Sequence, residues 1–375
     1  MRILNAAPYF WPRAGGMENY ALQLIQAMQR RGHETLTVAA TWDGLPPPVA
    51  QAPVPLAHLP SRGRVFSVPI VRRSVKELEQ FIAVHDADVV LAHTPVPGVA
   101  DAAVRAADKF GIPSVLIYQN DLQRRGLIHA GAVAAYERLI GRRTLRLADR
   151  IVVSNRPYAD SSVPLQPHLA KVRVVPPGID GDLFHPAGSP VALPDGRAPF
   201  VFVGQLEAET AHKGLGVLLR ALATVPEASL VVVGKGTAKG QFEDAARTLG
   251  IAERVRFAGY VASAELPRLY SEAQALVLPS TTRAEGFGMV LLEAQACGTP
   301  VIACRIGGMP AALAEGRTGL LVRPADVEAL ADAMRRLQEP SFRAVLAAQA
   351  RPFVLDGFDW DRSAAILDDV IHEVA

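Results

Sequence analysis

The stretch that decides the fold runs from Leu276 to Ala294 and reads LVLPS (276–280), RAEGFG (283–288) and MVLLEA (289–294). The first segment is an apolar run typical of a buried strand, the second is a loop containing glycine, and the third indicates a helix. A helix that begins directly after such a loop presents amide groups without intrahelical partners, and these favour an anion. The pattern therefore predicts a phosphate and ribose site at the end of a strand.

Strand and helix patterns alternate on both sides of this stretch. The predicted strands are short apolar runs at residues 2–5, 35–39, 89–92, 114–118, 151–154 and 172–175 in the first half, and at 200–203, 230–233, 255–258, 275–278, 300–303 and 320–322 in the second. Strands that are apolar on both faces are typical of a parallel sheet covered on two sides. The sequence thus predicts an α/β chain of two doubly wound domains with a ligand-binding cleft between them.

The two halves are separated at residues 181–199, which are rich in Pro, Gly and Asp and show little periodicity. We interpret this segment as the linker. Helical patterns occur at residues 18–31, 101–110 and 133–148, and the final segment, 358–374, has apolar residues at helical spacing. The sequence therefore predicts an amphipathic helix at its end.

Composition narrows the class of protein. Residues 1–185 carry 21 Lys and Arg against 15 Asp and Glu, a net charge of +6, and the rest carry 18 against 22, a net charge of −4. This asymmetry is too mild for a nucleic-acid binder but suits an anionic acceptor or a membrane surface beside the first half. No apolar run is long enough to cross a bilayer, and Cys297 and Cys304 indicate reduced thiols, so we expect a cytoplasmic location.

A basic stripe is the candidate for a peripheral membrane contact. Arg138, Arg142, Arg146 and Arg150 recur every four residues on the predicted helix 133–148 and just beyond it. Such a stripe is either a solvated helix face or a surface that holds the protein at anionic lipid, at ~1 kcal/mol per basic residue.

Two glutamates of the deciding stretch have separate predicted roles. Glu293 lies in a helix that is almost entirely apolar, where an unpaired carboxylate would be costly to bury. It is placed to accept hydrogen bonds from a ribose diol, while Glu285 is free to face the cleft. The alternative is that Glu285 is a solvated loop residue and Glu293 an ordinary helix residue. With the helix starting near Phe287, the predicted phosphate donors are the amides of Gly288, Met289 and Val290.

A second group of candidate residues follows other strands of the second half. Gly204 and Gln205 end the strand at 200–203, and Lys213 precedes the helix pattern at 215–223. A lysine at a helix start opposes the helix dipole unless an anion lies nearby, so Lys213 either meets a diphosphate or extends into water. Further candidates at strand ends are Gly234, and Tyr260 with Val261, where a nucleotide base could stack.

Glycines and polar residues also follow strands of the first half. Gly15 and Gly16 join the first strand to the first helix in a loop that lacks the dinucleotide fingerprint but allows close approach to a ligand. Polar residues end two further strands, namely His93 and the run Gln119-Asn120-Asp121. They are either functional residues that face the cleft or simple capping residues. Three Asp-x-Asp pairs, at 86/88, 180/182 and 359/361, do not directly follow strands, so we interpret them as turn and capping residues and predict no metal.

These motifs together resemble the family 4 glycosyltransferases, retaining enzymes of the GT-B fold. The likeness runs nearly from end to end, through GGME (15–18), RGHE (31–34), PGID (177–180), the Glu285-x7-Glu293 motif and the closing helix with Trp360. The resemblance implies an N-terminal, acceptor-binding, Rossmann-like domain at 1–182 and a C-terminal nucleotide-sugar-binding domain at 183–357. Residues 358–375 would cross back to the first domain.

The resemblance also implies roles for single residues. Glu293 would bind the ribose, Glu285 the donor-sugar hydroxyls, and Lys213 the diphosphate leaving group. The expected catalytic residues are Lys213, Glu285, His93 and Gln119. The expected donor-binding residues are Gly15, Gly16, Gly204, Gln205, Lys213, Gly234, Tyr260, Val261, Glu285, Gly286, Phe287, Gly288, Met289, Val290 and Glu293, and the expected acceptor residues are Met17, Glu18 and Asp121. Residues 43–73 and 122–130 would shape the acceptor site.

Two positions depart from the family pattern, because Gln205 stands where arginine is frequent and Gln119 where histidine is common. The expected activity is same-face, metal-independent transfer of a hexosyl group from a nucleoside diphosphate sugar, UDP-sugar before GDP-mannose, to a hydroxyl acceptor. The sequence does not distinguish among small metabolites, glycans and lipid-linked molecules as acceptors. The alternatives are an epimerase or phosphorylase on the same scaffold and a catalytically silent nucleotide-sugar binder.

Overall fold

The structure, a computed structural model, describes residues 1–12, 15–41, 49–65, 68–71, 74–122, 124, 126–187 and 198–375. Internal contacts divide the chain into two units, one of Met1–Gly178 with Trp360–Ala375 and one of Ile179–Asp359. The boundaries predicted after residues 182 and 357 differ slightly from these, because Ile179 donates a backbone hydrogen bond to the carbonyl of Phe358 (3.1 Å) and so joins the second unit. The predicted linker lies partly outside the described residues.

The first unit is built on a parallel sheet of seven strands in the order β3-β2-β1-β6-β7-β8-β9, with a separate antiparallel pair, β4 and β5. Its elements are β1 (Arg2–Ala7), α1 (Gly16–Arg30), β2 (Glu34–Ala40), β3 (Leu56–Leu59), β4 (Ser61–Val65), β5 (Val68–Val71), α2 (Ser74–His85), β6 (Val89–Thr94), α3 (Val99–Phe110), β7 (Ser114–Tyr118), α4 (Gly126–Tyr136), α5 (Arg142–Leu147), β8 (Arg150–Val153), α6 (Arg156–Ser161) and β9 (Val172–Val174).

The second unit repeats this architecture with a parallel sheet of six strands in the order β12-β11-β10-β13-β14-β15. Its elements are β10 (Phe200–Val203), α7 (Leu215–Ala223), β11 (Leu230–Val233), α8 (Lys239–Thr248), β12 (Val255–Gly259), α9 (Leu266–Glu272), β13 (Ala275–Leu278), α10 (Met289–Ala296), β14 (Val301–Cys304), β15 (Gly319–Val322), α11 (Val327–Gln338) and α12 (Pro340–Gly357).

The last helix, α13 (Trp360–His372), belongs to the first unit and packs on α1. Trp360 is buried and stacks edge-on against Tyr20, with ring centroids 5.5 Å apart. Exposed ion pairs flank this contact, with Arg30 2.8 Å from Asp361 and Arg31 2.8 Å from Asp368. The predicted return of the last helix to the first domain is therefore present.

Both sheets are doubly wound because the strand order reverses once in each, between β1 and β6 and between β10 and β13. Each unit has its own core of buried aliphatic and aromatic side chains. The alternation of strands and helices predicted from sequence is confirmed, but β3, β4 and β5 were not predicted. Among the described residues, no helix combines the length and the apolar character that crossing a membrane requires.

The predicted helix 133–148 is wrong in its bounds and its continuity. The chain instead forms α4 from Gly126, then a π-helical turn at Glu137–Gly141, then α5. Val133, before the π-helical turn, and Thr144 and Leu145, after it, are all buried.

Candidate active site

The second unit gathers its candidate residues at one edge of its sheet. Strands β10 and β13 are neighbours at the point where the strand order reverses, and ligands of such sheets bind beyond the carboxyl ends of those two strands. The loop after β10 carries Gly204, Gln205 and Lys213, and the loop after β13 carries Glu285 and Gly288. The fold thus places the two most distinctive motifs of the sequence side by side.

The two loops are locked together through the backbone. The amide of Thr281 donates to the carbonyl of His212 at 2.7 Å. Gly214 has φ +81°, and a Cβ added there would lie 2.0 Å from the carbonyl oxygen of Pro279. Glycine at this position lets the start of α7 touch the β13 loop, and this contact fixes the preceding residue, Lys213.

Lys213 crosses the edge and pairs with Glu285. Its Nζ lies 2.6 Å from Oε2 of Glu285, and the two side chains are only 21% and 12% exposed. A Cβ added to Gly204 would lie 2.8 Å from Cδ of Lys213, so the glycine leaves room for the lysine stem. Lys213 ends a short 3₁₀ helix, Ala208–Lys213, before Gly214 caps α7. Lys213 therefore does not extend into water. In this structure the carboxylate of Glu285 is the anion that offsets its unfavourable position at the helix start.

The start of α10 presents the expected amide donors, although the helix begins at Met289 and not near Phe287. Gly288 caps it with φ +84°, a left-handed conformation that favours glycine. Leu291 donates to the carbonyl of Gly288 at 2.8 Å. Within the described part of the chain, the amides of Gly288, Met289 and Val290 donate to no protein acceptor. The glycine loop thus ends in three amide donors that are available to a ligand.

Glu293, one turn further along α10, is half-buried and hydrogen-bonded. Its Oε2 accepts from the hydroxyl of Tyr270, in α9, at 2.8 Å. Burial raises the pKa of Glu293 to about 7, against the opposing effects of the Tyr270 hydrogen bond and the Lys213 charge. Tyr270 was missed by sequence reasoning, because nothing in the LPRLYSE pattern distinguishes a site tyrosine from a core tyrosine.

The neighbouring strand ends supply glycines and an exposed ring. Gly234, after β11, donates to the carbonyl of Gly259 at 2.7 Å, and a Cβ there would lie 1.8 Å from the carbonyl oxygen of Gly204. The ring of Tyr260 is exposed, and the ammonium of Lys235 lies 5.2 Å from its centroid. Gln205 is exposed, Phe287 is buried against Phe358, and Gly286, Met289, Val290 and Val261 are half-buried.

In the first unit, His93 lies within β6, one residue before the strand ends. The ring is fully buried, its Nε2 lies 2.8 Å from Oδ1 of Asn5, and its Nδ1 lies 3.4 Å from the amide nitrogen of Gln119. Burial lowers the pKa of His93 to about 3, so the ring is neutral. This placement does not support the expected direct catalytic role of His93. Gln119, whose side-chain nitrogen contacts Nδ1 of His93, is half-buried directly after the end of β7.

The expected acceptor residues are also partly engaged. Oδ1 of Asp121 accepts from the hydroxyls of Tyr118 (2.9 Å) and Ser162 (2.6 Å). Glu18 is buried, and its carboxylate lies where a Cβ on Gly15 would be, which favours a role in shaping the loop over contact with an acceptor. Met17 is half-buried and Gly16 exposed, while Arg13 and Ala14 of the same loop lie outside the described residues. The expected acceptor segments 43–73 and 122–130 also lie partly outside them.

The aspartate pairs act as local supports. Oδ1 of Asp180 accepts from the amides of Asp182 and Leu183 at 3.1 and 2.9 Å, and Oδ2 of Asp88 accepts from the amide of Arg2 at 2.6 Å. No group of three His, Cys, Asp or Glu side chains suited to a metal ion occurs in the part of the chain that the structure describes. Cys297 and Cys304 are buried and carry no disulfide.

Comparisons with known proteins agree with this architecture. The family model for Glycosyltransferase Family 4 matches residues 14–183, and the one for Glycosyl transferases group 1 matches residues 197–339. The chain is 33% identical to a D-inositol 3-phosphate glycosyltransferase of Actinosynnema mirum, over 94% of this chain and 91% of the relative.

Two solved structures show the same fold. Sucrose-phosphate synthase from Thermosynechococcus elongatus is 23% identical and matches 100% of this chain and 98% of its own with a TM-score of 0.79. Anabaena Alr3699/HepE in complex with UDP-glucose is 19% identical and matches 100% of this chain and 99% of its own with a TM-score of 0.77. At this identity the likeness shows the fold alone, which is GT-B. The family models and the 33% identical relative show more: this chain is a glycosyltransferase and belongs to family 4.

Proposed function

We propose that this glycosyltransferase moves a hexosyl group from a nucleoside diphosphate sugar to a hydroxyl acceptor, with retention and without a metal ion. A UDP-sugar is the favoured donor, and GDP-mannose is the second. The solved complex of Anabaena Alr3699/HepE with UDP-glucose, which shares the fold, supports this class of donor. The observation that carries the proposal is the arrangement at the carboxyl ends of β10 and β13, where amide donors, a cation and a half-buried carboxylate meet.

The nucleotide half of the donor fits the residues of α10. The ionised carboxylate of Glu293 accepts hydrogen bonds from the two ribose hydroxyls, and Tyr270 holds one of its oxygens in place. The amides of Gly288, Met289 and Val290 donate to the diphosphate, which also gains from the positive end of the helix dipole. Tyr260, exposed beyond β12, is available to stack on the base.

Lys213 and Glu285 exchange partners when the donor binds. In the structure each neutralises the other across 2.6 Å. A diphosphate of higher charge competes for the ammonium, and the released carboxylate then accepts hydrogen bonds from the sugar hydroxyls. Lys213 thereby meets the negative charge that grows on the leaving group, and positioned charges of this kind act most strongly in the transition state.

For retention we propose a same-face substitution instead of a double displacement through a covalent intermediate. Glu285 and Glu293 are engaged with Lys213 and Tyr270, and we assign neither as a nucleophile. The bond between the anomeric carbon and the diphosphate oxygen breaks, and its electron pair stays on the phosphate. The acceptor oxygen bonds to the same face of the anomeric carbon and gives its proton to that phosphate oxygen. We assign Gln119, oriented by His93, to hydrogen bonding in this half of the reaction.

We also propose where the enzyme acts and which acceptor should be tested first. Buried, free cysteines support a cytoplasmic site of action. The name of the 33% identical relative makes an inositol phosphate the first acceptor to test, ahead of glycans and lipid-linked hydroxyls.

The test is turnover with a panel of UDP- and GDP-sugars, each with and without inositol phosphate and other hydroxyl acceptors. Product anomers are assigned by NMR, and every reaction is repeated with a chelator. The expected result is an acceptor-dependent glycoside that keeps the donor's anomeric configuration and forms equally with chelator present. An inverted product would contradict retention, and loss of turnover that Mg²⁺ restores would contradict metal independence.

A further inference from the structure

The helix α4, the π-helical turn and α5 together present one outer face, which has an apolar part and a cationic part. Its first half is apolar, with Leu127 94% and Ile128 84% exposed, and Leu139, on the π-helical turn, is 72% exposed. Its second half is cationic. We call this surface the α4–α5 face, and it consists of the exposed residues Leu127, Ile128, Gly131, Ala134, Ala135, Arg138, Leu139, Arg142, Arg143 and Arg146.

The face is continuous because the exposed positions recur three or four residues apart, the spacing of one side of a helix. The opposite side is fixed to the unit through Asp101, whose carboxylate accepts from the hydroxyls of Tyr136 (3.1 Å) and Thr144 (2.5 Å). Val133 and Leu145 are buried on that side. The outward position of the leucines and arginines is therefore set by the packing of the element and not by loose side chains.

The arginines of this face carry uncompensated charge. In the described part of the chain, Arg138, Arg142, Arg143 and Arg146 form no ion pair. The acid nearest to them in sequence, Glu137, is held by Arg124 at 2.5 Å. Arg150 does not belong to the face as the sequence stripe suggested, because it lies in β8 and pairs with Glu373 at 2.8 Å. The result is four positive charges with no exposed acid among them.

We propose that the α4–α5 face docks on an anionic lipid bilayer. Exposed aliphatic side chains at one end, followed by arginines, match the boundary between acyl chains and phosphate headgroups. Leu127 and Ile128 enter that boundary, and the arginines hold lipid phosphates, at which guanidinium groups bind well. A purely electrostatic ligand would leave the leucines in water, and an apolar partner would leave the arginines without counter-charge. This docking does not depend on the proposed donor.

Vesicle co-sedimentation of the full chain tests the proposal, with vesicles of phosphatidylcholine alone and of phosphatidylcholine with phosphatidylglycerol in equal amounts. We expect binding to the anionic vesicles only, weakening as salt screens the charges. Arg142→Glu with Arg146→Glu should lower the partition coefficient by at least about 30-fold, given ~1 kcal/mol per basic residue. Leu127→Ser with Ile128→Ser should lower it by about tenfold or more.

Matched controls separate the face from general charge or hydrophobicity. Arg220→Glu with Arg256→Glu makes the same change of charge on exposed residues of the second unit, and Val84→Ser with Val163→Ser removes exposed aliphatic groups elsewhere in the first unit. Both controls should bind like the unchanged protein. Circular dichroism confirms that every variant is folded.

A tryptophan at the apolar end reports insertion directly. Leu127→Trp should shift its emission to shorter wavelength with anionic vesicles and not with neutral ones. Equal losses in the face and control variants, or no binding to anionic vesicles at low salt, would overturn the proposal. Concentration-dependent dimerisation that the Leu127→Ser, Ile128→Ser variant abolishes, without vesicle binding, would show that the face belongs to a second copy of the chain and would equally overturn it.

Discussion

Lys213 and Glu285 lie 72 residues apart in the chain, yet their charged atoms meet at 2.6 Å at the carboxyl edge of the second sheet. One residue follows β10 and the other follows β13, and these strands are direct neighbours only because the sheet is doubly wound. In the structure the two charges neutralise each other, and in the proposed reaction a more highly charged ligand displaces one of them.

Lys213→Ala is expected to lower kcat/KM by ~10²-fold, because the leaving diphosphate loses a positioned cation. Steady-state kinetics with the best donor measures this. Lys239→Ala is the control, since it removes an exposed lysine paired with Glu243 at 3.2 Å and should leave kcat/KM unchanged. Turnover of Lys213→Ala close to that of the unchanged enzyme would remove Lys213 from the mechanism.

Donor affinity should increase with pH. Burial raises the pKa of Glu293 to about 7, and only the ionised carboxylate can accept from both ribose hydroxyls. If only that form binds, the KM for the donor falls about tenfold as the pH rises from about 6 to about 8. Measurement of KM across this range, at constant ionic strength, checks the expectation.

Two substitutions assign that pH dependence to Glu293. The Tyr270 hydrogen bond lowers the pKa of Glu293, so Tyr270→Phe should move the transition to higher pH. Glu293→Gln should bind the donor weakly at every pH and show no transition. A transition that survives in Glu293→Gln would have to come from another group.

His93 should remain neutral throughout the physiological range. Burial lowers its pKa to about 3, and both ring nitrogens have partners, with Asn5 accepting at Nε2 and Gln119 donating at Nδ1. Its ring ¹⁵N resonances should therefore stay constant between about pH 5 and pH 8, with the proton on Nε2, while free histidine in the same sample titrates. A midpoint inside that interval would show that the ring is accessible to protons and would restore a direct role for it.

Gly178→Ala should destabilise the first unit by about 1–3 kcal/mol, the usual cost of overpacking. The added Cβ would lie 2.4 Å from the backbone nitrogen of Trp360, so the start of α13 must shift. Thermal unfolding followed by tryptophan fluorescence measures the effect. Gly131→Ala is the control, because nothing lies within 4 Å of its added Cβ in the middle of α4. It should leave stability unchanged or raise it by about 0.5–1 kcal/mol.

Local patterns were sufficient for much of the fold. The strands at Phe200–Val203, Leu230–Val233 and Ala275–Leu278 have the predicted bounds, since buried parallel strands are uninterrupted apolar runs between glycine- and proline-rich loops. Strand β3, with the sequence LAHL, was missed because it is short and contains a histidine. The start of α10 was placed two residues early, because the chain alone does not show that Gly288 adopts the left-handed cap.

Some candidate site residues could likewise be placed from the local sequence, and others could not. The amide donors and Glu293 follow from one contiguous stretch, so sequence alone could place them. Tyr270 and the Lys213–Glu285 pair depend on contacts between distant segments. The burial of His93 depends on Asn5 and on the packing of two neighbouring strands, which no local pattern encodes.

The sequence by itself determined the two-domain α/β architecture and, to within two residues, the helix start that follows the Gly286–Gly288 loop, because strand and helix periodicity and glycine placement are local properties of the chain. Its motifs also indicated the family. Tertiary structure decided which charges meet, which carboxylate has its pKa raised, which histidine is shielded from solvent and which leucines and arginines share one exposed face. These are consequences of desolvation and of distance between residues far apart in the chain, and both are set only when the sheets and helices pack.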